Sequence, residues 1–193
     1  MCGDSSPSFE ELALTLGPRL RTYLRRMVGN AADAEDLLQE SLLRIARGLP
    51  DFEGRASVKN WSYRIASNVA IDFLRRSSRT RVISFEGTEA EEPESERDDE
   101  DRLVLDEMNQ CVRQVIDGLP PDYRAALVLH HLQGKTAAET AEILDITLAN
   151  AKVRIHRAKA RLREALQDEC DFYTTDDGRL RCDRKSEGGC GSP

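Results

Sequence analysis

The chain has 193 residues, 39% hydrophobic and 5% aromatic, which suits one ordinary domain or two small ones with modest cores and argues against a single large enzyme core. It contains no apolar run near the ~20 residues a membrane span requires, and it opens on Met1-Cys2-Gly3-Asp4, unlike a basic-then-apolar export signal. The expectation is a cytoplasmic protein with no membrane association. The net charge of −7 weighs against nucleic acid only as an average, because phosphate binding rests on local Lys and Arg releasing counterions. From Glu86 to Asp101 ten acidic residues accompany one Arg97, whereas Ala149 to Arg163 holds six basic residues and no acid. That segregation is the informative quantity.

In chain order, helical periodicity begins at Ser8, and the first helix is expected over Phe9–Met27. In the next, Leu38, Leu42, Ile45 and Leu49 recur at steps of four, three and four; Asp33 can begin this helix and Gly48-Leu49-Pro50 can end it. A third should run from Val58 or Lys59 to Arg76, with Ile65, Val69, Asp72 and Phe73 neighbours on its surface. Residues 8–76 thus read as an all-helical domain.

Residues 77–102 dissolve into Ser, Glu, Asp and Pro93, a composition that cannot bury enough apolar surface to offset chain entropy, and read as a flexible acidic linker. Residues 103–167 return to helix. Pro120-Pro121 suits a first turn, Gly134 a C-terminal cap, and Thr136-Ala-Ala-Glu139 is a capping box opening a short helix to about Leu144. Asp145-Ile146 turns the chain and Thr147 can cap a further helix, in which Ala151, Ile155, Ala158, Leu162 and Ala165 form the inner stripe. Two helices joined by a tight turn, the second basic, describe a helix-turn-helix. The fold class is therefore all-α: two small helical domains, an acidic linker, and a short cysteine-containing hairpin or tail at residues 168–193.

On the last helix Lys152, Arg154, Arg157, Lys159, Arg161 and Arg163 flank the apolar stripe; positions near its N-terminus are those such a helix pushes into a major groove. A solvated basic face is the plainer reading, and the capped partner helix at the right spacing favours DNA. In the first domain Trp61, Tyr63, Arg64, Asn68, Arg75 and Arg76 mix aromatic and basic side chains, as single-stranded DNA recognition does, although a lone Trp serves as core more often than as platform.

Asp33-Ala-Glu-Asp-Leu-Leu-Gln-Glu40, followed by Trp61-Ser-Tyr-Arg-Ile-Ala-Ser-Asn-Val-Ala-Ile-Asp-Phe-Leu-Arg-Arg76, resembles region 2 of the extracytoplasmic-function sigma factors of the sigma-70 family. Leu119-Pro-Pro-Asp-Tyr-Arg124, Gly134 to Leu144 and Lys152 to Arg163 resemble region 4, in the same order and separation. The resemblance covers roughly residues 8–167 and implies a transcription initiation factor, not an enzyme, that binds core RNA polymerase and promoter DNA as a monomer when free, with an anti-sigma factor as a further candidate partner. It assigns Glu35, Asp36, Gln39 and Glu40 to polymerase docking, and Lys59, Asn60, Trp61, Arg64, Asn68, Arg75 and Arg76 to the −10 element. Asn150, Lys152, Arg154, His156, Arg157 and Lys159 fall to the −35 element. Where the family usually carries Gly-Thr-Val this chain has Ala149-Asn150-Ala151, and Val153 replaces a small Ser, so hydroxyls that could meet phosphate or base are gone.

Five cysteines without an export signal make a disulfide framework a poor default. Cys170, Cys182 and Cys190 crowd the end of the chain, where runs on either side of Asp176-Asp177-Gly178 read as a hairpin. A loop centred on Asp176 puts Cys170 opposite Cys182, and a turn closed by Gly178 sets them on a diagonal. The three thiols, with Cys111, His130, His131 or His156, can be read as a site for a Zn, Cd or Cu ion, as a redox pair, or as ordinary apolar residues. Metal-responsive members of the same family have loosely similar tails; no cofactor is required otherwise. No glycine-rich phosphate loop, HExxH zinc motif or nucleophile elbow is present to support an enzyme. The nearest rival is a stand-alone helix-turn-helix regulator of duplex DNA, and an anti-sigma or adaptor protein ranks below it.

Overall fold

A computed structural model describes residues 8–54, 56–80, 112–174 and 180–184. Helix α1, Phe9–Val28, starts on a capping box: the Ser8 hydroxyl accepts from the Glu11 amide at 3.2 Å and the Glu11 carboxylate accepts from the Ser8 amide at 3.0 Å. It ends at Gly29, whose φ of 75° suits a residue without Cβ. Helix α2, Ala31–Gly48, begins earlier than expected, because its cap is Asn30 and not Asp33. The Asn30 side-chain oxygen takes the amides of Ala32 (2.8 Å) and Asp33 (3.2 Å), leaving Asp33 as a first-turn anion on the helix dipole. Helix α3, Val58–Thr80, runs past the expected stop at Arg76, since Ser77-Ser-Arg-Thr80 contains neither Gly nor Pro to break it.

The second half comprises a helical stretch α4 at residues 112–117, α5 (Pro121–Leu127), a π-turn (Val128–Leu132), α6 (Ala137–Leu144) and α7 (Leu148–Glu169). Pro121 occupies the first turn of α5 and Gly134 adopts a φ of 64°, as expected, whereas the wide π-turn was not foreseen. The Thr136/Glu139 capping box is complete, Asp145 turns the chain at a φ of 55°, and Thr147 caps α7 by accepting the Asn150 amide at 3.2 Å. The chain then passes directly into an antiparallel hairpin, β1 (Cys170–Thr174) and β2 (Leu180–Arg184).

Helices α1, α2 and α3 bury Leu20, Leu24, Met27, Ile45, Ala66 and Ala70. Tyr23 lies at the centre, its hydroxyl 2.8 Å from Ser67 Oγ and its ring edge-on to Tyr63 at 5.4 Å; burial pushes its pKa far above the usual phenol range. This core continues without a break into the second half through Ala125, Val128, Leu129 and Ile143. Arg124, 5% exposed, crosses the seam and donates to the Met27 carbonyl at 2.8 Å and to Asp117 at 2.9 Å. A smaller cluster, Leu119, Leu127 and Ala158, fastens α5 to α7. The two helical halves therefore share one core. Residues 81–111, with most of the expected linker and Cys111, lie outside the described residues, as does Cys190.

Candidate nucleic-acid interface

On α2, Asp36, Gln39 and Glu40 face solvent, and Glu35 beside them receives the Arg21 guanidinium at 2.9 Å. Glu40 pairs with Arg44 one turn on, at 2.7 Å. Leu43, 52% exposed, lies three and seven residues beyond Glu40 and Asp36 and so continues the same face. Sequence reasoning missed it. The signal was available: Leu42 holds the inner stripe, and the next residue must point ~100° away from it.

The residues expected at the −10 element lie along α3, and several are held by the second half. Asn60 is buried; its oxygen accepts from Lys135 Nζ at 2.8 Å and its amide donates to Glu142 at 2.8 Å. Arg64 pairs with Asp145, and Arg75 with Asp122 at 3.0 Å. Lys59 is half-buried, while Asn68 and Arg76 face solvent, Arg76 also donating to the Asp72 carbonyl at 3.2 Å. Trp61 is half-buried against Phe52, ring centroids 5.0 Å apart, over Gly48, where a Cβ would come within 3.0 Å of the indole. An open cleft of about 410 Å³ between the halves is lined by Asn68, Arg75, Asp122 and Arg154.

In the helix-turn-helix, Ala151, Ile155 and Ala158 are buried, and Asn150, Lys152, His156, Arg157 and Lys159 are exposed. Arg154 is the exception among the expected base readers. It turns back to Asn150 and to Asp122, each at 3.2 Å. Tyr123 of α5 supports the same helix: a hydrogen bond from Arg157 holds its pKa below the phenol value, and Arg161 lies 4.8 Å over its ring. At the start of α6 the Thr136 amide, then Lys135, hold the Glu139 carboxyl down at about 2, while Lys135 Nζ sits 5.2 Å from the Tyr63 ring centre. Val153 and Leu148, 45% and 46% exposed, were not among the expected site residues.

In the hairpin Cys170 stands opposite Arg184 and Cys182 opposite Phe172, with residues 175–179 between the strands. This is the diagonal arrangement, not the directly opposed one. Diagonal positions lie roughly 7–8 Å apart, beyond the ~4.4–6.8 Å between Cα atoms usual for a disulfide. His130 and His131 stack edge-on at 4.7 Å, with His130 Nδ1 2.7 Å from the Lys135 carbonyl. Among the described residues, no group of three or more His, Cys, Asp or Glu side chains is placed to hold a metal ion, and no helix is long and apolar enough to cross a membrane.

The two halves coincide with known sequence patterns: Sigma-70 region 2 matches residues 12–80 and Sigma-70 region 4 matches residues 109–162. The chain is 35% identical to ECF RNA polymerase sigma factor SigW of Bacillus subtilis over 74% of its length and 80% of the relative's. It is 33% identical to ECF RNA polymerase sigma factor SigE of Mycolicibacterium smegmatis, over 83% of its length and 62% of that longer protein. In fold it is similar to the sigma factor RpoE of Bartonella quintana, solved in complex with the anti-sigma factor NepR. That match has a TM-score of 0.65 at 23% identity and covers 82% of this chain and 96% of the other. It also resembles the extracytoplasmic function sigma factor SigJ of Mycobacterium tuberculosis, with a TM-score of 0.52 at 27% identity over 84% of this chain and 55% of that one. Region 2 and region 4 in one chain, with relatives alike over most of their length, make this protein a member of the extracytoplasmic-function RNA polymerase sigma factors.

Proposed function

We propose that the chain binds core RNA polymerase through the exposed α2 face and directs it to a defined class of promoters, α3 capturing the −10 element and α7 the −35 element. The observation that carries this reading is the coexistence of an exposed acidic α2 face and a basic, capped helix-turn-helix in one molecule. A stand-alone duplex-binding regulator would use the second and leave the first idle. The acidic face suits electrostatic steering toward a basic partner. Because Asn60, Arg64 and Arg75 are engaged across the seam, and Arg154 shares Asp122 with Arg75, promoter binding requires the halves to separate. An anti-sigma factor is the partner suited to holding them together, and the similarly folded sigma factor of Bartonella quintana is solved in complex with one.

The hairpin extends this reading to regulation. Cys170 and Cys182, with Cys190, form a thiol-rich tail continuous with α7, and a Zn, Cd or Cu ion, or thiol oxidation, bound or formed there would act on the −35-reading helix. Run-off transcription with core polymerase and genomic promoter fragments tests both parts. Specific transcripts appearing only with this protein support the sigma role, and metal-dependent transcripts abolished by replacing the three cysteines with Ser support the regulation. Tight duplex binding by the protein alone, with no transcripts under any metal, would favour the stand-alone regulator.

A further inference from the structure

Helix α7 turns an unusual line of side chains outward. At ~100° per residue, the stripe that packs inward at Ala151, Ile155 and Ala158 leaves Ala149, Val153 and Ala160 on the opposite side, and all three are exposed. Lys152 and His156 flank this line on one side, Asn150 and Arg157 on the other. The centre of the basic surface is thus a row of methyl groups, with the valine its largest member. Val153 is 45% exposed and belongs to neither apolar cluster, so packing within the protein does not account for it.

The chemistry around Val153 selects its counterpart. Six basic residues and no acid lie between Ala149 and Arg163, the charge pattern of a surface that meets phosphates and a poor one for an apolar protein partner. Val153 is the sixth residue of α7, near the end that enters a major groove in a helix-turn-helix. In that groove base edges offer hydrogen-bond donors and acceptors, and only thymine adds a methyl group, the one feature an aliphatic side chain can recognise. We propose that Val153 determines promoter specificity by closing its methyl groups on the C5 methyl of a thymine in the upstream element, an inference that rests on α7 being the promoter-reading helix.

Deoxyuridine, which pairs like thymine and lacks only that methyl, isolates the contact. With the full chain on core polymerase, the upstream element is first selected from a randomised template pool. Each thymine on either strand is then replaced singly by deoxyuridine, and open-complex formation is measured at limiting holoenzyme for wild type and Val153→Ala. Burying one methyl group is worth about fourfold in affinity, so one position should lose about fourfold in the wild type. Val153→Ala should bind the thymine template more weakly and respond to deoxyuridine there not at all; alanine on an exposed helical position does not threaten folding. A selected element whose deoxyuridine versions all behave as thymine, or an equal penalty in Val153→Ala, overturns the inference while leaving α7 as reader. Indifference of the wild type to the upstream sequence overturns both.

Discussion

Lys135, on the turn ahead of α6, donates from Nζ to the side-chain oxygen of Asn60 in α3 at 2.8 Å, although 75 residues separate them in the chain. The same ammonium reaches Glu139 at 3.0 Å, and the Asn60 amide reaches Glu142 at 2.8 Å, so the contact is a closed polar group spanning the two halves. Both side chains are buried, Lys135 to 6% exposure, and Asn60 cannot hold this position and face a DNA base at once.

Replacing Lys135 by Met keeps the stem and removes the charge, leaving the buried Asn60 oxygen without its donor. A loss of about 1–3 kcal/mol is expected, read as a lower urea midpoint, with promoter-dependent transcription retained at saturating polymerase. An unchanged midpoint would show that the contact does not hold the seam.

Asp122 bridges Arg75 at 3.0 Å and Arg154 at 3.2 Å from partly exposed positions. Such pairs contribute less than about 1 kcal/mol, so Asp122→Asn should barely change stability. Removing the carboxylate releases Arg154 toward phosphate. Holoenzyme binding to promoter fragments should tighten at low salt, and the slope of log affinity against log salt should steepen by about one.

Glu139 offers a pH signature. Its folded pKa, depressed to about 2 from an ordinary 4.5, makes it a group whose stabilisation is complete above the unfolded value and disappears as pH falls through the folded one. Glu139→Ala should therefore cost about 1 kcal/mol at neutral pH. Thermal melts of the two proteins should converge between pH 4.5 and 2. A gap that widens on acidification would contradict the assignment.

Leu43, 52% exposed on the α2 face proposed for polymerase docking, lends little to the fold, and Leu43→Ala should stay within about 0.5 kcal/mol of wild type in stability. Competition against a labelled sigma factor should nonetheless show core polymerase binding weakened about tenfold, the scale of an apolar anchor in a polar rim.

Local chemistry was legible from the sequence wherever neighbours decide it. The Thr136/Glu139 box, the Thr147 cap and the limits of α6 all follow from residues close in sequence, whereas the hairpin left two registers open and the strand pairing selects the diagonal of Cys170 and Cys182. Asn30 displaced Asp33 as the α2 cap because both are good caps and only the path of the chain chooses between them. Trp61 admitted two readings, and Phe52 and Gly48 make it a half-buried side chain. The seam was invisible in sequence: Arg64 with Asp145 and Arg75 with Asp122 are pairings of surface charges whose meeting depends on how the two halves dock.

The shared core carries a cost for a promoter-bound protein. Elements centred near −10 and −35 lie about 85 Å apart at ~3.4 Å per base pair, whereas a compact chain of this length has a radius of gyration of only about 16 Å. Reaching both exposes the seam faces of Val128, Leu129 and Ile143, apolar surface that water penalises at about 25 cal/mol per Å². On the proposed reading, a chain stretched between its two targets presents an apolar seam that another surface must cover, and the closed packing is what hides that seam when the chain is idle.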